Sequence, residues 1–572
     1  MRSGQTFYRQ DQASEGKGIG ETTRKSELMK IAIVCVEDGL ASVGVRKMAS
    51  LIRSLNKDTM LYYVPYKNSR SLYEAWRGTH GDSDDVSEDI VREIAEALGD
   101  ADIVGFSSMT SYSDLTKEII AQIRKVNPKT YIIWGGIHPI IVPEDAIMHA
   151  DAICTGEGEY AFRDFFEAYT AGEDYTQTGN FWFRKGEEII KNPFLPLMSG
   201  EQMGEMPLPW YAEGEKIYEM NKGFVDLTRD HRLAFNGLSY NTVWSIGCPF
   251  KCTYCGNTRF IDNDPNYRKI RHSPVQYILD EFKAVLAAEP HISTMVFHDD
   301  SFMALPTPVL AEFAREYKKQ IDIPFCVHGV IPNYVKEPKL QILLSAGLNR
   351  VRMGVQNGSE RILQFYDRPT PPAKIRAAAE VLSRYHKYMI PPAYDIIVDN
   401  PVETTEDVKD NLALMQDLAR PFTLNVFSLR AIPNTELERQ MEERNITLCS
   451  ISQGYAHTVP TLANCIVYLL GIARLPGWLF DRLSRWVKPV TEQQGHYPNL
   501  ALVCRTLYLF RRAFDHLRFL DFSVLPGKVG FVLWKLGLLA RRKRTLAYSP
   551  PPEIEAILEG AGKPKPGYRP LL

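Results

Sequence analysis

The chain has 572 residues, 45% hydrophobic, 11% aromatic and 24% charged, with a formal net charge of -2. Those fractions exclude a disordered, collagenous or low-complexity chain, and at about 150 residues per core they leave room for roughly three or four core-forming units. The near-zero charge argues against nucleic-acid binding over the whole surface, and no run of about 18 apolar residues is present to span a bilayer.

Residues 1–28 are polar, of mixed charge and without an apolar signal core, and read as a disordered leader ahead of Met29. From Met29 onward, short apolar runs alternate with amphipathic helical patterns. IAIVCV (Ile31 to Val36) reads as a strand followed by a helix from Val45 to Leu55, and MLYYVPY (Met60 to Tyr66) as a second strand. DIVGFSS (Asp102 to Ser108) precedes a helix from Leu115 to Val126. TYIIWGG (Thr130 to Gly136) and DAICTG (Asp151 to Gly156) follow, then a helix carrying Phe162, Phe165 and Phe166. Strand and helix in alternation predict a parallel, doubly wound α/β sheet over residues 29–175, with ligands at the carboxyl ends of its strands. The loops at those ends hold Ser107 and Ser108, then Gly135, Gly136 and His138, then Gly156 and Glu157. Glycines there serve either close ligand approach or turn geometry alone.

The run WGGIHPIIVPEDAIMHADAICTGEGEYAF (Trp134 to Phe162) resembles the cobalamin-binding domain that precedes the barrel in many radical S-adenosylmethionine (radical SAM) enzymes. The resemblance implies that Ser107, Ser108, Gly135, Gly136, His138, Gly156 and Glu157 surround the cobalamin. The chain has no Asp-x-His, so the motif that supplies a lower axial histidine in other cobalamin proteins is missing, as it commonly is in this family.

Residues 176–235 read as a linker, and 236–445 as a second α/β unit. CPFKCTYC places Cys248, Cys252 and Cys255 in a C-x₃-C-x₂-C spacing, which wraps one soft metal site when the chain turns tightly, as Pro249 favours. Three ligands leave an open coordination position, unlike a closed structural zinc site, though His272 or His298 is available as a fourth. The other six cysteines, Cys35, Cys154, Cys326, Cys449, Cys465 and Cys504, are scattered in apolar surroundings and read as buried reduced thiols, which suits a reducing cytoplasm. The spacing, with Tyr254 before the last cysteine, matches the radical SAM superfamily. The resemblance implies a [4Fe-4S] cluster on the three cysteines, S-adenosylmethionine at the fourth iron, Tyr254 near the adenine, and a partial (β/α)6 barrel of the TIM type.

The barrel strands follow in order. NTVWSIG (Asn241 to Gly247) reads as the first, and TMVFHDDSFM (Thr294 to Met303) as the second, ending in Asp299 and Asp300. By themselves those two acids suit a helix cap or solvent; in the family such positions lie near the bound methionine. IPFCVHGV (Ile323 to Val330) is the third strand, without the arginine that the family usually places after it, which leaves the role of His328 open. RVRMGVQNGSERIL (Arg350 to Leu363) resembles the fourth strand and the helix start that meets the cofactor, which carries over Gln356, Ser359 and Glu360; Ser359 also suits a helix cap. YDIIVDNPVETTED (Tyr394 to Asp407) and NVFSLRAIPNTEL (Asn425 to Leu437) match the fifth and sixth.

Residues 446–572 carry no family motif and read as a mostly helical extension. Between Thr461 and Ala547 fourteen basic residues face four acids, so this segment is +10 and the rest of the chain -12. Interleaved aromatics and the run Arg541 to Arg544 suit either an interfacial contact with anionic lipid or a solvated helical cap; RNA binding is a third, weaker reading without a recognised module. The resemblance implies cleavage of S-adenosylmethionine, a 5′-deoxyadenosyl radical, and methylation by cobalamin of an unactivated carbon on a small or lipid-like substrate. It also implies a low-potential donor such as flavodoxin or ferredoxin as the source of the electron. The alternatives are cyclisation or rearrangement, as in anaerobic tetrapyrrole cyclases, and a sensor without turnover. The expected location is the cytoplasm, with peripheral membrane contact through 461–547.

Overall fold

The computed structural model describes residues 29–65, 86–211, 214–448, 461–492, 498–519, 527–538 and 547–560. The expected leader at 1–28, Cys449, Tyr66 and the Arg541 to Arg544 run lie outside them.

The first sheet is built on β1 (Ile31–Glu37), β2 (Thr59–Pro65), β3 (Ile103–Ser108), β4 (Tyr131–Gly135) and β5 (Ala152–Cys154), parallel and in spatial order β5-β4-β3-β1-β2. The first six residues of β1 are all buried because helices cover both faces of the sheet. Helices Glu88–Leu98 and Ser113–Val126 pack Ile94, Leu98, Ile119 and Ile123 on one face. Helices Val43–Leu55 and Gly158–Ala171 pack Ala49, Ile52, Phe162 and Phe165 on the other. This is the doubly wound arrangement that the alternating pattern predicts, and its strand order reverses between β1 and β3.

The stretch 176–235, expected as a linker, extends this sheet. β6 (Phe181–Lys185) and β7 (Glu188–Lys191) form a hairpin antiparallel to β5, while β8 (Glu215–Glu219) runs parallel to β2 and pairs with β9 (Gly223–Asp226). These strands are four or five residues long and carry charges at their ends, so their period-2 signal is too short to stand out from a polar connection.

The second sheet is β10 (Ser239–Thr242), β13 (Thr294–Phe297), β14 (Phe325–Val330), β15 (Leu348–Gln356), β16 (Ala393–Val398) and β17 (Thr423–Ser428), with β11 (Ser245–Ile246) and β12 (Arg271–His272) as a small antiparallel pair beside it. All five neighbouring pairs are parallel and the six strands stand in chain order, which is an open six-stranded barrel. The single strand expected over 241–247 is broken: β10 stops at Thr242 because Asp299 draws the Trp244 and Ser245 amides away to its own carboxylate. Along β15, Val351, Met353 and Val355 are buried against the outer helices, while Arg350, Arg352, Gly354 and Gln356 face the lumen.

The extension is helical where it is described. Helix Leu462–Ile472 packs on β17 and on helix Thr405–Asp417, tied by Arg420 Nη1 to the Ile472 carbonyl (2.6 Å) and Asn464 Nδ2 to Asp399 (2.8 Å). Helix Pro498–Arg518 lies against it, helix Gly527–Lys535 against helix Arg229–Asn236, and helix Pro552–Gly560 against the barrel helix Thr307–Gln320. No helix among the described residues is long and apolar enough to cross a membrane.

Candidate active site between the two sheets

A cavity of about 350 Å³ separates the carboxyl ends of the two sheets. From the first sheet it is lined by Ile137, Ile140, Gly156 and Glu157, and from the barrel by Tyr267, His298 and Asp300. Glu157 clamps the two together. One carboxylate oxygen accepts from Arg271 on β12 (2.7 Å) and the other from the Met198 amide (2.7 Å), while Arg271 also donates to the Met198 carbonyl. Asn434 Nδ2 adds a bond to the Ile141 carbonyl (2.9 Å).

The loop after β11 holds the three cysteines. The Cys255 amide donates to the Cys252 carbonyl (3.0 Å), a tight turn, and the Cys248 amide to the Tyr267 carbonyl. Burial, and then the neighbouring charges of Cys252, Asp300 and Cys248, push the Cys255 thiol well above its ordinary pKa, against a lowering bond from the Asn257 backbone. Burial also raises Cys248, partly offset by the hydroxyl of Ser301, 3.5 Å from its sulfur. Thiolates that feel one another's charge repel unless a cationic centre neutralises them, which is what a metal cluster supplies. His272 bonds the Ser273 carbonyl and His298 bonds Asn241 and His328, so neither turns to the thiols as a fourth zinc ligand. The donor set therefore fits a cluster, whose irons each take one thiolate, better than one zinc.

The remaining expected residues divide. Asp300 faces the cavity and the thiols, with Tyr267 Oη 3.5 Å from its carboxylate. Asp299, one residue earlier, turns the other way. Its two oxygens accept from the Trp244 amide (3.0 Å), the Ser245 amide (2.7 Å) and the Ser245 hydroxyl (2.5 Å), and burial holds its carboxyl up to about 6. Tyr254 lies between the cysteine loop and Tyr366, edge to face at 4.8 Å. Gln356 has φ +68 at a bulge in β15, which folds its side chain over Gly354 beside Arg368. Ser359 caps helix Glu360–Phe365 and donates to Asp407 (2.6 Å), so its hydroxyl serves the fold, and Glu360 is exposed in the first turn of that helix.

On the first sheet, Gly136 has φ +86 and a Cβ there would meet the Ser108 backbone at 2.9 Å, so glycine is needed for the strand-to-helix turn. The Ser107 hydroxyl sits at the same contact, and Ser108 accepts from Trp134 Nε1 (3.0 Å). Gly135 ends β4 without close contacts. His138 is buried under Trp134, 3.0 Å from Asp145, and burial lowers its pKa. It does not line the cavity; the apolar Ile137 and Ile140 of the same turn do.

Two features escape the motif reading. Arg368 is buried, with Nη1 3.7 Å from Cys252 Sγ and Nη2 2.7 Å from the Gly354 carbonyl. In the lumen, His298 and His328 meet edge to face with their Nδ1 atoms 3.3 Å apart. Desolvation by the lumen walls, then nearby Arg352, lowers His298 to about 4, and desolvation, His298 and the arginines lower His328 to about 3, so both are neutral at neutral pH. Cys326 also faces the lumen half-buried, whereas Cys35, Cys154, Cys465 and Cys504 are buried free thiols.

Behind β15, Asn357 donates to Glu403 (2.7 Å), whose carboxyl is pushed up by burial to about 8. The folded protein thus holds a proton that the unfolded chain releases near pH 4.3, and stability falls as pH rises from about 4.3 to about 8. Glu403→Gln keeps the acceptor for Asn357 and is expected to flatten that fall. Urea midpoints at about pH 5 and about pH 8 measure it.

An α/β sheet whose crevice faces the mouth of an open parallel barrel, with one buried and two half-buried thiols in the loop beside that mouth, defines an enzyme built for two cofactors. Residues 242–415 match the radical SAM superfamily and residues 76–166 the B12 binding domain. The chain thus combines a B12-binding domain with a radical SAM domain. It is similar to an uncharacterised methyltransferase of Pyrococcus horikoshii, 24% identical over 59% of this chain and 69% of that protein. It is also similar to the anaerobic magnesium-protoporphyrin IX monomethyl ester cyclase of Rubrivivax gelatinosus, 23% identical over 52% of each, so the chain spans about half the length of that relative. The solved radical SAM methyltransferase TsrM from Kitasatospora setae, with cobalamin and a [4Fe-4S] cluster bound, shares the fold at TM-score 0.54 and 15% identity, over 73% of this chain and 75% of that one.

Proposed function

We propose that the enzyme transfers a methyl group to an unactivated carbon of a small, hydrophobic substrate, with a [4Fe-4S] cluster, S-adenosylmethionine and cobalamin as cofactors. The cavity carries the reading: it has Ile137, Gly156 and Glu157 of the first sheet on one side, Tyr267 and Asp300, which adjoin the cysteine loop, on the other, and room between. Cys248, Cys252 and Cys255 would hold the cluster, Asp300 and Gln356 would meet S-adenosylmethionine, and the turns at Gly136 and Gly156 would receive the cobalamin. Bound, the cluster supplies one electron for cleavage of S-adenosylmethionine and cobalamin supplies the methyl group. The chain's own part is to orient and to keep water out. Ile137 and Ile140 give the cavity an apolar wall, and the neutral His298–His328 pair offers hydrogen bonds without charge. The partners of this reading are a small-molecule or lipid-like substrate and a low-potential electron donor such as flavodoxin or ferredoxin, in the cytoplasm.

Anaerobic protein with a reconstituted cluster, given cobalamin, a low-potential reductant and methyl-labelled S-adenosylmethionine, is expected to form 5′-deoxyadenosine. None from cluster-loaded protein overturns the reading. The similarity to the anaerobic cyclase supports a second one, cyclisation with the same cofactors. Label carried into the product of a cell extract separates them: methyl transfer moves it and cyclisation does not.

A further inference from the structure

Helix Pro498–Arg518 buries one side and leaves an apolar stripe open on another. Cys504 and Asp515 are buried, Tyr508 meets Tyr468 of helix Leu462–Ile472 edge to face at 4.6 Å, and Arg511 pairs with Asp515 (2.9 Å). Leu500, Val503, Leu507, Phe510, Phe514 and Leu517 recur at steps of three and four, which places them on one stripe, and they are between 45% and 72% exposed. The described residues leave this stripe uncovered, and apolar side chains aligned over a helix of 21 residues are costly in water.

Charge decides what covers it. The helix carries Arg505, Arg511, Arg512 and Arg518 against a single acid, Asp515, and between residues 461 and 538 ten Lys and Arg face four Asp and Glu. A second copy of the stripe would bring arginine against arginine. A lipid surface with anionic headgroups accepts the apolar side chains and the flanking cations together. Trp478 and Trp486, about two-thirds exposed, carry the side chain that favours the headgroup level, close to the exposed Arg482 and Arg485 in sequence. We propose that helix Pro498–Arg518 is an in-plane anchor that docks the enzyme on an anionic lipid surface. The inference stands on the helix alone and does not rest on the proposed reaction.

Flotation of the full-length, cluster-loaded enzyme tests it. With vesicles of phosphatidylglycerol and phosphatidylcholine the enzyme is expected to float, and with phosphatidylcholine alone or in high salt it is expected to stay behind. Replacing Leu507, Phe510 and Phe514 together by Ser is expected to lower the floated fraction by about tenfold or more, with 5′-deoxyadenosine formation in solution and circular dichroism unchanged. Equal flotation of the two proteins, or none by either, overturns the proposal. So does a dimer in solution, by light scattering, that the same three substitutions dissociate. Loss of S-adenosylmethionine cleavage by the unaltered enzyme counts against the proposed reaction and leaves the flotation result standing.

Discussion

Cys252→Ala is expected to reduce 5′-deoxyadenosine formation to background, a loss of at least about 10³-fold, while the protein stays folded. Its sulfur lies in a small cluster with Phe250 and Ile331, so losing one buried atom costs about 1 kcal/mol, within what a chain of this size tolerates. The chemistry does not tolerate it. The remaining two half-buried thiols would stay beside Asp300, and Arg368 would lose its sulfur partner. Iron and sulfide content read the cluster, labelled S-adenosylmethionine reads the reaction, and circular dichroism reads the fold. Unchanged iron content with full cleavage would remove the cysteine loop from the mechanism.

Gly329→Ala is expected to be the most damaging single-carbon addition in the barrel. Gly329 sits in β14 with φ +61, and a Cβ there would stand 1.8 Å from the Asp299 carbonyl oxygen and 2.9 Å from the Asp300 backbone. Neither atom can give way cheaply, because the Asp299 side chain is fixed by three hydrogen bonds and Asp300 lines the cavity. Left-handed backbone and overpacking together cost about 3–5 kcal/mol. The expected result is a lower urea midpoint for the barrel, with weaker cluster loading in the folded fraction. A variant with an unaltered midpoint would show that the strand ends at β13 and β14 slide freely.

The alternation of strands and helices, the cysteine spacing and the order of the barrel strands are all legible in the sequence, because each is a local pattern of period, turn residue or ligand spacing. Side-chain direction is not. Asp299 and Asp300 read as one pair, yet successive residues leaving a strand point to opposite sides, so one caps the backbone at Trp244 and the other meets the cavity. His138 sits in a glycine-rich turn and is drawn inward by Asp145, seven residues away, and by the ring of Trp134. Ser359 answers to Asp407, 48 residues on, which no local reading anticipates. Arg368 was missed for the same reason: it is an ordinary loop arginine until the fold brings it to a sulfur 116 residues earlier in the chain.

The Glu157–Arg271 clamp joins positions 114 residues apart, and it sets the gauge between the two halves of the enzyme. The width between the halves is therefore set by side-chain contacts of this kind, the Asn434 bond to Ile141 among them, not by the length of the chain between them. Extra residues in the turn between β8 and β9 leave that width alone. Shortening Glu157 to Asp takes about 1.5 Å out of it, on the scale at which misplaced reactants lose a hundredfold in rate.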